Sequence, residues 1–166
     1  RLEGKDVTNF PPGELTERML SYIPEERMRD GMIKDFTVAE NLILREHHKQ
    51  PYSRSGFLNL GGIATHADQL IKQFHVKTPS RDTFAKNLSG GNIQKVVLAR
   101  EISRNPRVIL AAQPTRGLDI GATEFGGVAA LDDAALLQGQ GLLAVADGED
   151  GNFQVEGDLR GAGGFI

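Results

Sequence analysis

The stretch that most constrains the fold of this chain is residues 88–95, Leu-Ser-Gly-Gly-Asn-Ile-Gln-Lys, which leads into a run of apolar residues. Apolar side chains at three- and four-residue spacing between Ile93 and Ile102 predict a long amphipathic helix, and Asn105-Pro106 ends it. The first N–H groups of a helix have no partner within it, and glycines let a ligand approach them closely. Ser89 can add a hydroxyl donor, and it also suits the N-cap position. The pattern is typical of an anion-binding helix N-terminus or of an ordinary capped loop.

A short apolar run at residues 108–112 follows that helix and predicts a buried strand. Gln113-Pro114-Thr115 then predicts a turn, and a Gly-Leu-Asp loop ends at Asp119. In this order the strings LSGGN, VILAAQPT and GLD resemble the signature motif, the Walker B strand and the D-loop of the ATP-binding cassette (ABC) ATPases. The resemblance covers roughly residues 1–125. It implies an α/β fold, that of a P-loop NTPase cassette.

Residues 21–44 and 88–125 are similar to the second cassette of the fused, two-cassette ATPase subunits that import simple sugars and nucleosides. Asn92, which follows the two glycines where many relatives carry Gln or Glu, favours that branch. The resemblance implies a partial nucleotide-binding domain over residues 1–125 that lacks the phosphate-loop segment. Within it, residues 35–87 would form an inserted helical subdomain facing a membrane-embedded partner. Residues 88–125 would return to the core sheet with the signature helix, the Walker B strand and the D-loop.

Local patterns predict the secondary structure of this domain. Thr37 fits the N-cap of a helix over residues 38–45, and Glu40 completes a capping box three residues later. The other expected elements are a short helix at 14–19, a buried strand at 21–23, a second helix at 63–74 and a loop at 78–82.

Length and composition exclude several classes of protein. The 166 residues give room for one domain core, and the formal net charge of −3 offers no basic field, so we expect no nucleic-acid partner. The absence of cysteine excludes a disulfide framework and thiolate metal sites, and it suits a reducing compartment. No signal peptide is visible, and no apolar run approaches the length of about 18 residues expected of a spanning helix. Because the first residue is Arg1 rather than Met, we expect a fragment of a longer protein.

Residues 126–166 differ from the rest of the chain. They hold ten of the 20 glycines, seven acidic residues and one basic residue, Arg160. One interpretation is a flexible, glycine-rich acidic tail. The other is a shift of reading frame near codon 125, since a relative would continue into a helix, a strand and a switch histidine. Either way this segment is expected not to fold into the core.

The residues needed for hydrolysis are missing. A P-loop NTPase cradles phosphates with the string G-x-x-x-x-G-K-[ST], which does not occur in this sequence. At the positions where the family carries an Asp that holds Mg²⁺ and a Glu that activates water stand Ala112 and Gln113. Alanine cannot ligate Mg²⁺, and glutamine cannot accept a proton as a base. We therefore expect no catalytic and no metal-binding residue in this chain.

The signature motif is intact, and the resemblance implies its role. Two cassettes of this family pair head to tail, so that each ATP lies between the phosphate loop of one and the signature of the other. ATP and Mg²⁺ would be held mainly by the partner cassette, and this chain would add hydrogen-bond donors to the γ-phosphate. The residues expected at the nucleotide are Ser89, Gly90, Gly91 and the N–H groups of Asn92 and Ile93, with Gln94 and Lys95 as weaker candidates and Asp119 contacting the opposite cassette.

Three charged features have ordinary alternatives. Glu25 lies where relatives with a Q-loop place Gln, and it either couples nucleotide state to the membrane partner or belongs to a solvated turn. His47 and His48 are adjacent, so they point to different faces and make poor joint metal ligands. Arg116 is expected in a surface or interface ion pair rather than at a phosphate.

The function implied by the resemblance is that of an ATP-binding subunit of an ABC importer for simple sugars or nucleosides. Its partners would be a second cassette, transmembrane permease subunits and, indirectly, a solute-binding protein, at the cytoplasmic face of a bacterial membrane. The whole subunit would hydrolyse ATP, whereas this segment alone would be inactive. One alternative is a regulatory half-site that closes over ATP without hydrolysing it. Another is a soluble ABC ATPase of DNA repair or translation.

Overall fold

The computed structural model describes residues 6, 8–18, 20–106 and 108–112, together with the backbone of two later strands. This part of the chain contains both helices and strands, consistent with an α/β fold. In order they are α1 (Pro12–Arg18), β1 (Leu20–Ile23), a turn of π-helix (Arg27–Gly31), α2 (Val38–Leu42), β2 (Ser53–Arg54), β3 (Phe57–Leu58), α3 (Leu60–Gln73), a 3₁₀ turn (Ala85–Asn87), α4 (Gly90–Ser103), β4 (Val108–Ala112), β5 (Leu142–Ala146) and β6 (Phe153–Asp158).

One four-stranded sheet organises the core, with the strands in the order β1-β4-β5-β6. β1 and β5 both run parallel to β4, and β6 is antiparallel to β5. The register places Leu20 beside Val108 and Ile23 beside Ala111. The continuous apolar sequence of β4 is typical of a parallel strand that is covered on both faces. The strand predicted at residues 108–112 is confirmed.

Helix α4 packs against β1, α2 and α3, and it is buried on almost every side. The apolar residues predicted to form its face are all buried, but so are Gln94, Arg100 and Glu101. The prediction of an amphipathic helix is therefore wrong in its polar face, because neighbouring elements cover that face as well. The end of the helix is as predicted: it stops at Ser103, and Asn105 adopts a positive φ of 54° just before Pro106.

The region predicted to be helical also contains a β-hairpin. Strands β2 and β3 pair antiparallel around Ser55 and Gly56, whose φ angles of 52° and 84° suit a tight two-residue hairpin turn. Both sides of the predicted capping box on α2 are present, formed by Thr37 and Glu40, but the helix ends at Leu42 rather than at residue 45. α3 begins earlier than predicted, at Leu60.

Two segments beyond residue 125 join the sheet. Residues 142–146 pair with β4 in parallel, and residues 153–158 pair with residues 142–146 in antiparallel fashion. The expectation that residues 126–166 stay out of the core is therefore wrong for these strands. The reason is visible in the sequence Leu-Leu-Ala-Val-Ala, a short apolar run that suits a covered parallel strand. None of the helices in the described part of the chain is long and apolar enough to cross a membrane.

Candidate functional site

The N-terminal end of α4 is the site that the sequence predicts. Ser89 is the N-cap residue, with extended backbone angles φ −68° and ψ 156°, and the helix begins at Gly90. The first hydrogen bond along the helix runs from the N–H of Ile93 to the carbonyl of Ser89, at 2.9 Å. The Ile93 N–H, expected at the phosphate, is therefore used within the helix. The N–H groups that precede this bond belong to Gly90, Gly91 and Asn92.

Access to this end of the helix is open. Ser89 and Gly90 are exposed, and Gly91 and Asn92 are half-buried. Apart from its chain neighbours and the backbone of its own helix, a Cβ atom placed on Gly90 would meet nothing within 4 Å. The absence of a side chain at Gly90 thus leaves the surface beside the first N–H groups free for a ligand. This geometry suits an anion that approaches along the helix axis.

The hydroxyl of Ser89 does not cap the helix. It makes no hydrogen bond to the N–H groups of the first turn, in contrast to the N-cap role considered for it. Instead its Oγ accepts a hydrogen bond of 2.9 Å from the side-chain amide of Asn92. Ser89 and Asn92 are three residues apart, a spacing at which side chains at the start of a helix can contact each other.

Asn92 also bonds to a segment outside its helix. Its Oδ1 accepts the N–H of Lys77 at 2.7 Å, and one turn later the Nζ of Lys95 donates to the carbonyl of His75 at 3.1 Å. Residues 75–77 follow Phe74, the C-cap residue of α3. Two side chains of α4 are thus bonded to the segment at the end of a neighbouring helix.

Gln94 is separated from the exposed group. Its side chain is wholly buried, whereas Ser89 and Gly90 lie on the surface. The structure therefore brings together Ser89, Gly90, Gly91 and Asn92 at the mouth of the helix, but not Gln94. Asp119, Gln113 and Arg116 lie outside the described residues.

A buried ionic cluster, which the sequence analysis missed, lies farther along α4. The carboxylate of Glu101, wholly buried, is 2.8 Å from Arg100, 3.4 Å from Arg104 and 3.5 Å from Arg45. Arg100 also donates to the carbonyl of Gly31 at 2.8 Å. Burial is the largest influence on the Arg100 guanidinium and lowers its pKa, while the charge of Glu101 opposes this. The cluster fixes α4 against the segments that precede and follow α2.

The carboxyl ends of β1 and β4 lie side by side at one edge of the sheet. Ligands of open α/β sheets bind beyond that edge. Ala112, the last residue of β4, is half-buried there and pairs with Ala146. Glu25, which follows the end of β1, is half-buried as well. The methyl group of Ala112 offers no ligand for a cation.

The two adjacent histidines face different neighbours. Nδ1 of His47 lies 2.9 Å from the carbonyl of Leu44, which makes that nitrogen the protonated donor. Nε2 of His48 lies 3.6 Å from a carboxylate oxygen of Glu17. Within the described residues, no group of three or more His, Asp or Glu side chains is arranged to hold a metal ion.

Comparison of the chain with known proteins identifies its family. The family described as "ABC transporter" matches residues 1–116 of this chain. The chain belongs to the ABC transporter family. The solved structures that resemble this ABC chain include a dimeric post-hydrolysis state of the ATP-binding cassette MJ0796 bound to ADP and Pi. That likeness has a TM-score of 0.64 and 22% identity, covers 97% of this chain and 73% of the other, and shows the shared cassette fold.

Three relatives of this ABC chain are similar over most of its length. The nucleoside import ATP-binding protein NupA of Lactococcus lactis subsp. cremoris is 46% identical over 125 residues, which are 75% of this chain and 25% of the relative. The guanosine import ATP-binding protein NupO of Bacillus subtilis is 46% identical over 124 residues, 75% of this chain and 24% of the relative. The glucose import ATP-binding protein TsgD13 of Haloferax volcanii is 36% identical over 151 residues, 90% of this chain and 27% of the relative. The chain thus spans about a quarter of the length of these curated relatives.

Proposed function

We propose that this chain is part of the ATP-binding subunit of an ABC importer for simple sugars or nucleosides. In this role it supplies the signature motif to an ATP molecule bound on a partner cassette. The observation that carries the proposal is the exposed mouth of α4, where Ser89 and Gly90 lie beside the first N–H groups of a 14-residue helix. The names of the relatives support the transport of sugars or nucleosides.

The chemistry of the proposed site is electrostatic. The N–H groups of Gly90, Gly91 and Asn92 point out of the helix end, where the helix dipole favours negative charge. A γ-phosphate presented by the partner cassette would accept hydrogen bonds from them and from the hydroxyl of Ser89. Such donors stabilise the charge on the oxygens of the transferring phosphoryl group without having to reorganise. ATP and Mg²⁺ are held mainly by the partner cassette in this proposal, and Asp119 contacts that cassette.

The edge of the sheet in this chain would line a second, degenerate nucleotide site. Ala112 cannot hold Mg²⁺, and Gln113 cannot act as a base. A second candidate function is therefore a regulatory half-site, which closes over ATP and does not hydrolyse it. The two candidates are compatible, because the first concerns ATP at the signature and the second concerns ATP at the sheet edge. Permease subunits at the cytoplasmic face of the membrane, and a solute-binding protein beyond them, complete the proposed importer.

The decisive experiment replaces Gly91 with arginine in the complete importer. A side chain at this position obstructs the approach of the phosphate, so Gly91→Arg is expected to lower steady-state ATP turnover by about 100-fold or more. Ser89→Ala removes one charge-assisted donor and is expected to cost about 1.5–3 kcal/mol of transition-state stabilisation. Both are measured as phosphate release by the reconstituted importer.

Gly61→Arg is the matched control. Gly61 is the second residue of α3, as Gly91 is of α4, and it is exposed. The control introduces the same side chain at an equivalent helical position outside the signature, and turnover should stay near that of the unmodified importer. Unchanged turnover in Gly91→Arg would refute the proposed function.

A further inference from the structure

The orientation of the Asn92 side chain is decided by its neighbours. The backbone N–H of Lys77 can only donate, so the atom of Asn92 that lies 2.7 Å from it is the carbonyl oxygen Oδ1. The amide nitrogen Nδ2 must then face the Oγ of Ser89, 2.9 Å away. The two hydrogen bonds therefore exclude the flipped orientation of the Asn92 amide group, in which Oδ1 and Nδ2 would be exchanged.

This arrangement determines how the hydroxyl of Ser89 is oriented. Its oxygen already accepts a hydrogen bond from Nδ2, so its own proton is directed away from Asn92 and is free to bond an acceptor. Accepting one hydrogen bond also polarises the hydroxyl and strengthens the bond that it donates. Ser89 is thereby prepared to donate to an anion.

The segment that anchors Asn92 is itself well fixed. α3 ends in a Schellman motif, in which His75 has a positive φ of 51° and the N–H groups of His75 and Val76 return to the carbonyls of Lys72 and Ile71. Asn92 and Lys95 are three residues apart and so share a face of α4. Both reach this motif, Asn92 through Lys77 and Lys95 through His75. The end of α3 thus sets the position of the signature serine.

We propose that Asn92 is a positioning residue, which holds the hydroxyl of Ser89 as a hydrogen-bond donor toward the γ-phosphate and links it to the end of α3. The inference deepens the proposed function and rests on it. It adds a role for the side chain of Asn92, which acts through Ser89, to the role proposed for the backbone N–H of the same residue.

The test is Asn92→Asp in the complete importer. A carboxylate still accepts the N–H of Lys77, but it also accepts the proton of Ser89 and withdraws that donor from the phosphate. We expect kcat for ATP to fall by about 10- to 100-fold, the loss of one charge-assisted hydrogen bond. KM for ATP should change little, since the partner cassette holds the nucleotide. Asn92→Ala, which breaks both bonds without adding charge, should lower kcat by a smaller factor.

Asn87→Asp is the matched control. Asn87 is exposed and precedes Ser89 by two residues, so this variant adds the same charge nearby without contacting Ser89 through a described side-chain bond. It should retain the kcat of the unmodified importer. A loss in Asn87→Asp equal to that in Asn92→Asp would show a general effect of charge and overturn the inference.

The double variant Asn92→Asp with Ser89→Ala distinguishes loss of Ser89 positioning from direct repulsion between the new carboxylate and the phosphate. If Asn92 acts through Ser89, Asn92→Asp should have almost no further effect on kcat in the Ser89→Ala background. An undiminished effect in that background would overturn the inference. So would full activity of both Asn92 variants alongside an inactive Gly91→Arg, and in that case the proposed function would stand. Full activity of Gly91→Arg would overturn both.

Discussion

Glu101 shows how a charged residue can be accommodated in the interior of this cassette. Its carboxylate is wholly buried, and the nearest partner, Arg100, is almost as inaccessible. The backbone carbonyl of Glu101 also accepts the hydroxyl of Ser21 from β1, at 2.8 Å. Removing one partner of a buried pair leaves the other as an uncompensated charge, which is more costly than losing an exposed pair.

We expect Glu101→Gln to lower the free energy of unfolding by about 3–5 kcal/mol, because the guanidinium of Arg100 would remain buried without its counter-charge. The matched control is Asp35→Asn, which removes an exposed ion pair with Lys86 and should leave the free energy of unfolding almost unchanged. Both are measured by denaturant unfolding of the purified subunit. Equal losses in the two variants would contradict a structural role for the cluster.

The sequence reveals local partners at the residue scale but not distant ones. The hydrogen bonds between Thr37 and Glu40 could be predicted, because a capping box involves only residues within one stretch of four. Arg100 and Glu101 are adjacent in sequence, and adjacent side chains do not face each other on an ideal helix. Their sequence therefore predicts two solvent-exposed charges rather than a buried ion pair. The bond from Asn92 to Lys77 joins residues 15 positions apart, and no spacing rule indicates it.

At the scale of elements, α2 depends on its first turn. The helix has five residues, too few to be stable alone, and both halves of its capping box are formed. The hydroxyl of Thr37 accepts the N–H of Glu40 at 3.2 Å, and the Glu40 carboxylate accepts the N–H of Thr37 at 2.7 Å. The box therefore satisfies two donors that the short helix cannot satisfy itself.

Thr37→Ala is expected to lower the free energy of unfolding by about 0.5–2 kcal/mol through loss of this cap. Thr65→Ala is the matched control, since Thr65 is exposed on α3 and its hydroxyl only returns to the carbonyl of Gly61 in its own helix. That variant should be neutral or slightly stabilising, because alanine has the higher helix propensity. The midpoints of thermal unfolding of the two variants measure the difference in stability. Equal midpoints would show that the capping box does not stabilise the protein.

Elements with a strong local signal could be predicted, and those that depend on tertiary context could not. The end of α4 was predictable because Asn105 tolerates a positive φ and Pro106 cannot continue a helix. The hairpin formed by β2 and β3 was missed, since strands of two residues have no detectable period. The strand at residues 142–146 was missed because its five apolar residues stand within a glycine-rich segment. A shift of reading frame near codon 125 remains a prediction, which sequencing of the gene tests.

At the scale of the whole molecule, the mouth of α4 and the sheet edge at Ala112 are proposed to belong to two different nucleotide sites. The signature at the mouth of α4 would serve ATP on the partner, whereas Ala112 at the sheet edge would line a site that lacks hydrolytic residues. The proposed importer therefore has one working and one degenerate site. The turnover of ATP by the importer would then depend on the signature residues of this chain, which would contact the ATP bound on the partner cassette.

That division predicts the result of restoring the missing carboxylates. Ala112→Asp together with Gln113→Glu would supply a ligand for Mg²⁺ and a base at the degenerate site, but hydrolysis also needs a phosphate loop and a signature around the same ATP. In the proposed importer, the complete site would set steady-state turnover, and these substitutions do not alter that site. We therefore expect phosphate release by the reconstituted double variant to stay below twice that of the unmodified importer. A doubling of turnover would mean that the sheet edge lacked only its two carboxylates, and it would contradict the division into one working and one degenerate site.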